Sequence, residues 1–287
     1  MKGGDLKAPF PWFGGKRKVT DVVWQRFGRV DNYVEPFFGS GAVLLGAPRI
    51  HQIETVNDLD GFVANFWRAV SMDAEAVARH ADWPVNENDL HARHAWLVSQ
   101  RGDLTRRLEG DPEFHDAKIA GWWCWGMCCW IGSGFCSGAG SWGVRDGKLV
   151  HLGNKGMGVN RKRVHLRNKG MGVNRQRVGL YDWFDALQVR LRRVRVCCGD
   201  WSRVCGPTPT VKLGLTAVFL DPPYGENAHR RDDIYATDAT DLQPAIQAWC
   251  QERQDDPRMR IALCGYDGEY DLPGWDCHAW KAQGGYG

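Results

Sequence analysis

Two patterns of apolar positions alternate along the chain. In one, apolar residues recur every three or four positions, which predicts helices at 17–27 (apolar at 19, 22, 23 and 27), 61–70, 74–80, 88–100, 113–131, 181–194 and 241–253. In the other, short runs of strand-forming residues end abruptly at Gly, Pro, Asn or Asp. These predict strands at 33–35, 53–56, 195–198, 217–220, 259–264 and 275–280. Ala217-Val218-Phe219-Leu220 is continuously apolar, as a strand buried on both faces must be. Strands separated by helices predict an α/β fold. Residues 132–143, rich in Gly and Ser, read as a loop.

The strand ends carry the chemistry. The 217–220 run is followed directly by Asp221-Pro222-Pro223-Tyr224. Such a placement puts a carboxylate at the carboxyl edge of a sheet, where open α/β folds bind ligands. The two prolines remove two N–H groups and leave carbonyls facing the crevice. A carboxylate, a carbonyl and an aromatic ring together suit an exocyclic amine on a planar base. Read alone, the tetrapeptide is equally a strand followed by a turn.

Upstream, the strand through Tyr33, Val34 and Glu35 runs into Pro36-Phe37-Phe38-Gly39-Ser40-Gly41 and a helix start. Glycines at 39 and 41 let the backbone approach a ligand, and a helix N-terminus there favours a carboxylate. The spacing is not that of the dinucleotide-binding fingerprint. The next strand ends in Asn57-Asp58, an acidic tip about 20 residues after the turn, suited to a ribose diol. Before the turn lies Pro11-Trp12-Phe13-Gly14-Gly15-Lys16. There Lys16 can neutralise an anionic group of a ligand and Trp12 can pack on it.

With these segments in this order, the chain resembles the Dam-type DNA adenine methylases, Asp-Pro-Pro-Tyr amino-methyltransferases that use S-adenosylmethionine. The resemblance covers residues 9–70 and 195–225. It implies a Rossmann-like methyltransferase sheet with helices on both faces and an inserted target-recognition region. It also implies cofactor contacts from Trp12, Lys16, Glu35, Pro36, Phe37, Gly39, Gly41 and Asp58. Asp200 and Trp201 stand where the family carries Asp-Phe at the cofactor adenine, with Trp in place of Phe; Asp200 reads equally as a turn cap. Asp221, Pro222, Pro223 and Tyr224 become the catalytic set. The implied parts are 1–84 and 195–287 for the catalytic domain and 85–194 for target recognition.

Composition adds two points. Residues 145–195 hold 14 Lys/Arg against three Asp, a net of +11 in a chain of +3, so the remainder carries about −8. A basic insertion on an acidic body is the footprint of a polyanion-binding region. Within it, His151–Val164 is repeated almost unchanged as His165–Val178, with Arg167 for Gly153 and Gln176 for Lys162. Fourteen residues are too few for a solenoid unit. A glycine-rich basic loop or β-ribbon is expected, offering Lys155, Arg161, Arg163, Lys169, Arg175 and Arg177 to DNA phosphates.

Ten cysteines, four of them at 124, 128, 129 and 136, form no paired metal-ligand motif and read as core thiols. No apolar run is long enough for a membrane helix and no signal-peptide core opens the chain, so a cytoplasmic location is expected. The expected activity is methyl transfer from S-adenosylmethionine, leaving S-adenosylhomocysteine, to the N6 amine of a flipped adenine in double-stranded DNA. No metal is required and no nuclease site is recognisable. The N4 amine of cytosine, RNA, and a non-catalytic DNA-binding role on the same scaffold are the alternatives. The recognition sequence is not legible in residues 85–194.

Overall fold

The computed structural model describes residues 6–12, 14–131, 135–136, 142–145, 148–151, 178–223 and 239–280. A 3-10 turn, Lys16–Lys18, leads into α1 (Thr20–Phe27), β1 (Asn32–Glu35), the single-turn α2 (Ala42–Leu45) and β2 (Ile53–Asp58). Then come α3 (Gly61–Ala81), α4 (Glu87–Gly110), α5 (Ala117–Cys129) and a hairpin of β3 (Trp142–Arg145) and β4 (Lys148–His151). The chain continues through α6 (Val178–Leu191), β5 (Val194–Cys198), 3-10 turns Trp201–Val204 and Val211–Leu213, β6 (Thr216–Leu220), α7 (Ala239–Arg253) and β7 (Met259–Leu263).

Five strands form one parallel sheet in the order β5-β2-β1-β6-β7. Side chains alternate across it as the strand period demands. Tyr33, Ala217 and Phe219 enter a large core with Phe62, Phe66 and Trp67 of α3, Trp123 of α5 and Phe184 of α6. Val34, Val218 and Leu220 enter a smaller core with Ile246, Trp249 and Cys250 of α7. Both faces are therefore covered by helices, as the continuous apolar run of β6 required.

The expected break between 70 and 74 is real. Asp73 leaves helical geometry within α3, and its carboxylate accepts from Ala76 N at 3.0 Å, capping the second segment. Asp60, Asn86 and Asp116 cap α3, α4 and α5 in the same way. Arg68 donates to the carbonyls of Leu108, Asp111 and Phe114 and to Val196 in β5, tying the α4–α5 link to the edge of the sheet. Helices of the expected insertion thus share the main core with the sheet.

A buried pair joins α6 to β2. Arg190 places Nη1 2.7 Å and Nη2 3.0 Å from the two oxygens of Glu54, and Nη2 also donates to the Leu44 carbonyl at 3.0 Å. Burial raises the cost of these charges, and the bidentate geometry offsets it. Burial, the largest influence, pushes the Glu54 pKa up, but His51 and Arg190 hold it below the usual value.

Four expectations need correction. Residues 275–280 form no strand: the segment is largely exposed and pairs with no described strand. Its ring and acid groups bond elsewhere, Trp275 to Gln254 at 3.0 Å and Asp276 to Arg26. Residues 17–19 belong to the 3-10 turn and its cap rather than to α1, and α5 begins at Ala117, not 113, because Asp116 caps it. Trp142 and Gly143, expected in a loop, lie in β3. Of the duplicated segment, His151 ends β4 and Val178 begins α6, while Lys155, Arg161, Arg163, Lys169, Arg175 and Arg177 lie outside the described residues. No described helix is long and apolar enough to cross a membrane.

Candidate active site between the two central strands

The strand order reverses direction at β1. From β1 the chain builds outward to β2 and β5 on one side, and β6 and β7 occupy the other. A crevice opens at such a switch point, beyond the carboxyl ends of the strands. Its lips are the turn after β1 and the Asp221-Pro222-Pro223 run after β6.

The first lip is a tightly held turn. Gly39 and Gly41 have φ of 48° and 61°, a region that disfavours side chains. A Cβ on Gly39 would lie 2.4 Å from the indole nitrogen of Trp12, and one on Gly41 would lie 2.6 Å from the Phe38 ring. Trp67 donates its indole N–H to the Gly39 carbonyl at 2.8 Å. Gly39 N donates to one Asp58 oxygen at 2.9 Å, and Asp60 N to the other at 2.9 Å. A carboxylate oxygen accepts more than one donor, so Asp58 at this tip is compatible with a ribose hydroxyl as well.

Asn57 is the knot behind this lip. Buried, it donates to the carbonyls of Pro36 at 3.1 Å and Gly199 at 2.9 Å, joining the tips of β1, β2 and β5. Beside it Phe37 stacks on Trp201, with ring centroids 6.1 Å apart and planes 26° from parallel. Asp200 caps the 3-10 turn that carries Trp201, accepting from Ser202 N at 2.9 Å, and is otherwise exposed. Glu35 lies deeper, only 2% exposed, and accepts from the Tyr33 hydroxyl at 2.8 Å. Burial pushes its pKa well above the carboxylate range, and the Asp221 charge adds to that.

The second lip is held by groups distant in sequence. Lys16, 4% exposed, places its ammonium 2.7 Å from an Asp221 oxygen and 2.9 Å from the Gly14 carbonyl. The Trp280 ring covers the same ammonium at 5.3 Å. Lys16 was expected on an anionic group of a ligand; here it pairs with Asp221, the close counter-charge that a lysine this buried needs. Pro222 is buried, and the Pro223 carbonyl accepts from Gln243 Nε2 at 3.2 Å. Tyr224 lies outside the described residues.

Sequence reasoning missed Tyr33, Trp67, Gln243 and Trp280. Only Trp67 offered a signal, as an aromatic in the helix that follows the acidic tip. Trp123, Trp125 and Trp130 are buried, as core tryptophans are, and so are Cys124, Cys128, Cys129 and Cys136. Among the described residues no group of three His, Cys, Asp or Glu is placed to hold a metal ion.

Residues 12–95 match the family model of D12 class N6 adenine-specific DNA methyltransferases. That range contains the whole first lip and Lys16. A DNA N-6-adenine-methyltransferase of Escherichia phage P1 is 28% identical over 102 residues, 34% of this chain and 13% of the relative. The chain thus aligns with about an eighth of that relative's length. The match, with a parallel sheet flanked by helices, identifies a Rossmann-like methyltransferase fold.

Proposed function

We propose that this chain transfers a methyl group from S-adenosylmethionine to the N6 amine of adenine in DNA. The observation that supports the reading is Asp221 directly after β6, the strand paired in parallel with β1, whose own end leads into the Gly39–Gly41 turn; Lys16 holds the Asp221 carboxylate at 2.7 Å. The family match on the first lip supports it.

The residues fit the cofactor. Gly39 and Gly41 admit the close approach of Trp12 and Phe38, which a Cβ at either position would meet. Asp58 presents acceptors to a ribose diol, and the Phe37–Trp201 pair offers a flat apolar wall for a purine. Glu35, Pro36 and Asp200 shape and cap the backbone around this pocket, and Trp12 closes over the turn. S-adenosylmethionine supplies a methyl group on a positively charged sulfur.

The amine of adenine is a weak nucleophile because its lone pair is delocalised into the ring. Asp221 and the Pro222 carbonyl accept its two N–H groups, drawing that pair out of conjugation and aiming it across the crevice. When bound, the cofactor would supply the methyl carbon to the amine nitrogen, the carbon–sulfur electrons staying on sulfur, and the methylated amine would give up one N–H proton to solvent. Tyr224 stacks on the base, which must leave the duplex to reach this depth. Alignment supplies much of the rate.

The basic segment that follows β4 in the sequence contributes to DNA affinity and not to the chemical step. Its repeated lysines and arginines act on phosphates, so deleting 165–178 raises the dissociation constant for DNA and flattens its salt dependence. Turnover at saturating DNA stays unchanged. A change in which sequences are methylated would instead show that the repeat reads bases.

The activity is tested by incubation with labelled cofactor and either DNA or RNA, followed by mass spectrometry of the nucleosides. N6-methyladenine in DNA is the expected product. N4-methylcytosine, methylated RNA only, or no product overturns the reading.

A further inference from the structure

The Asp221-Pro222-Pro223 run leaves the sheet without a ladder to hold it. Two successive prolines bring no N–H of their own, so its direction depends on donors supplied by other segments. At its entry the Leu220 carbonyl accepts from Cys264 N at 2.8 Å, extending the β6–β7 pairing by one bond. In the middle Lys16 holds the Asp221 carboxylate. At its exit Gln243, in the second turn of α7, donates its side-chain amide to the Pro223 carbonyl at 3.2 Å. Among the described residues the Pro222 carbonyl has no hydrogen-bond partner.

The carbonyls on either side of Asp221-Pro222 are therefore occupied. Proline φ is confined by the ring, so the main remaining freedom of the run is rotation of its peptide planes. Fixing the Pro223 carbonyl fixes the plane that follows Pro223 and restricts the one before it.

We propose that Gln243 is a positioning residue for methyl transfer: its hydrogen bond to Pro223 sets the rotation of the run so that the Pro222 carbonyl faces the target amine. The proposal rests on the transfer reading above. Gln243 touches neither substrate nor cofactor, and its effect belongs to the chemical step alone. A general structural tie between α7 and the sheet would act on stability instead.

Gln243→Glu keeps the size of the side chain and removes the donor. Gln243→Lys restores a donor at similar reach. In Q243E, turnover at saturating DNA and cofactor falls about ten- to a hundredfold, the scale of a misaligned reacting group. Cofactor affinity by calorimetry and the melting temperature stay at the wild-type values, and Q243K recovers most of the turnover.

The proposal is overturned if Q243E turns over like wild type, or if Q243K is as slow as Q243E. Hydrogen exchange of the Asp221 amide gives a readout that needs no activity: it quickens in Q243E and not in Q243K. If the wild-type chain methylates nothing, the transfer reading falls by that result. Exchange then decides the anchoring role by itself, and an unchanged rate in Q243E overturns it.

Discussion

The two lips of the crevice are built in opposite ways. The turn after β1 is closed by its own neighbourhood: Trp12, Asn57, Asp58 and Trp67 hold it, all within one strand–helix–strand unit and its flanks. The run after β6 is held by Lys16, Gln243 and Cys264, with Trp280 behind Lys16. Glycines explain part of the contrast. The first lip keeps its N–H groups and can spend them on Asp58, whereas the second has given two up to proline. A lip with its own donors closes locally, and one without them must be assembled from afar. Under the proposed function, binding the cofactor and aiming at the amine become separable tasks, and substitutions should separate them.

The largest separation is expected at Asp221. Asp221→Asn keeps an oxygen for Lys16, so the buried ammonium is not left alone, but it removes the charge that draws on the amine. Turnover should fall at least about a hundredfold, as when one aligned group is removed from a transition state. Cofactor affinity by calorimetry should not change. Asp221→Ala should abolish transfer and additionally lower the melting temperature, because Lys16 loses its partner. Cofactor affinity falling in step with turnover in D221N would mean that the lips are not independent.

The same contrast decided how much could be read from the sequence. Glu35-Pro36-Phe37-Phe38-Gly39-Ser40-Gly41 and Asn57-Asp58 announce the first lip because most residues that shape it are near in the chain, with Gly199 and Trp201 the distant ones. The strands β1, β2, β5 and β6 were legible from their apolar runs, and the break in α3 from the interruption at Asp73. Asp221 was legible as a strand end, but its pairing with Lys16 was not, because a contact across 205 residues leaves no trace in either segment. Gln243 sits among other polar residues of α7 and carries no local signal. The error at 275–280 has the same origin. Its aromatic residues suit a strand, yet a strand exists only where a neighbour offers a ladder, and β7 is not paired there.

A smaller and opposite effect is expected on the first lip. Asp58→Ala removes the acceptor for Gly39 N and for the cofactor ribose, and should weaken cofactor binding by about 1.5–3 kcal/mol. Turnover once the cofactor is saturating should be close to that of wild type. Calorimetry against a full kinetic titration checks both halves. Unchanged affinity would remove Asp58 from the cofactor pocket, and a fall in saturated turnover would show the turn reaching across to the amine.

The smallest effect is expected at Trp280, which tests how far the assembled lip extends. After β7 the chain returns along α7, where Asp271 N donates to Gln247 at 2.9 Å and Gln251 donates to the Asp271 carbonyl at 3.1 Å. Trp275 then bonds Gln254, Asp276 pairs with Arg26 of α1, and the Trp280 ring ends over the Lys16 ammonium at 5.3 Å. A cation facing a ring is worth about 0.5–2 kcal/mol, more as water is excluded. Lys16 has a carboxylate and a carbonyl besides, so losing the ring should loosen it without releasing it. Trp280→Ala should therefore lower saturated turnover only a few-fold, roughly what 1 kcal/mol allows. Trp280→Phe, which keeps a ring face, should recover most of it, and neither should alter cofactor affinity. If W280A instead costs cofactor affinity and leaves turnover intact, the ring serves the first lip, and the division between a locally closed lip and an assembled one would have to be redrawn through Lys16 itself.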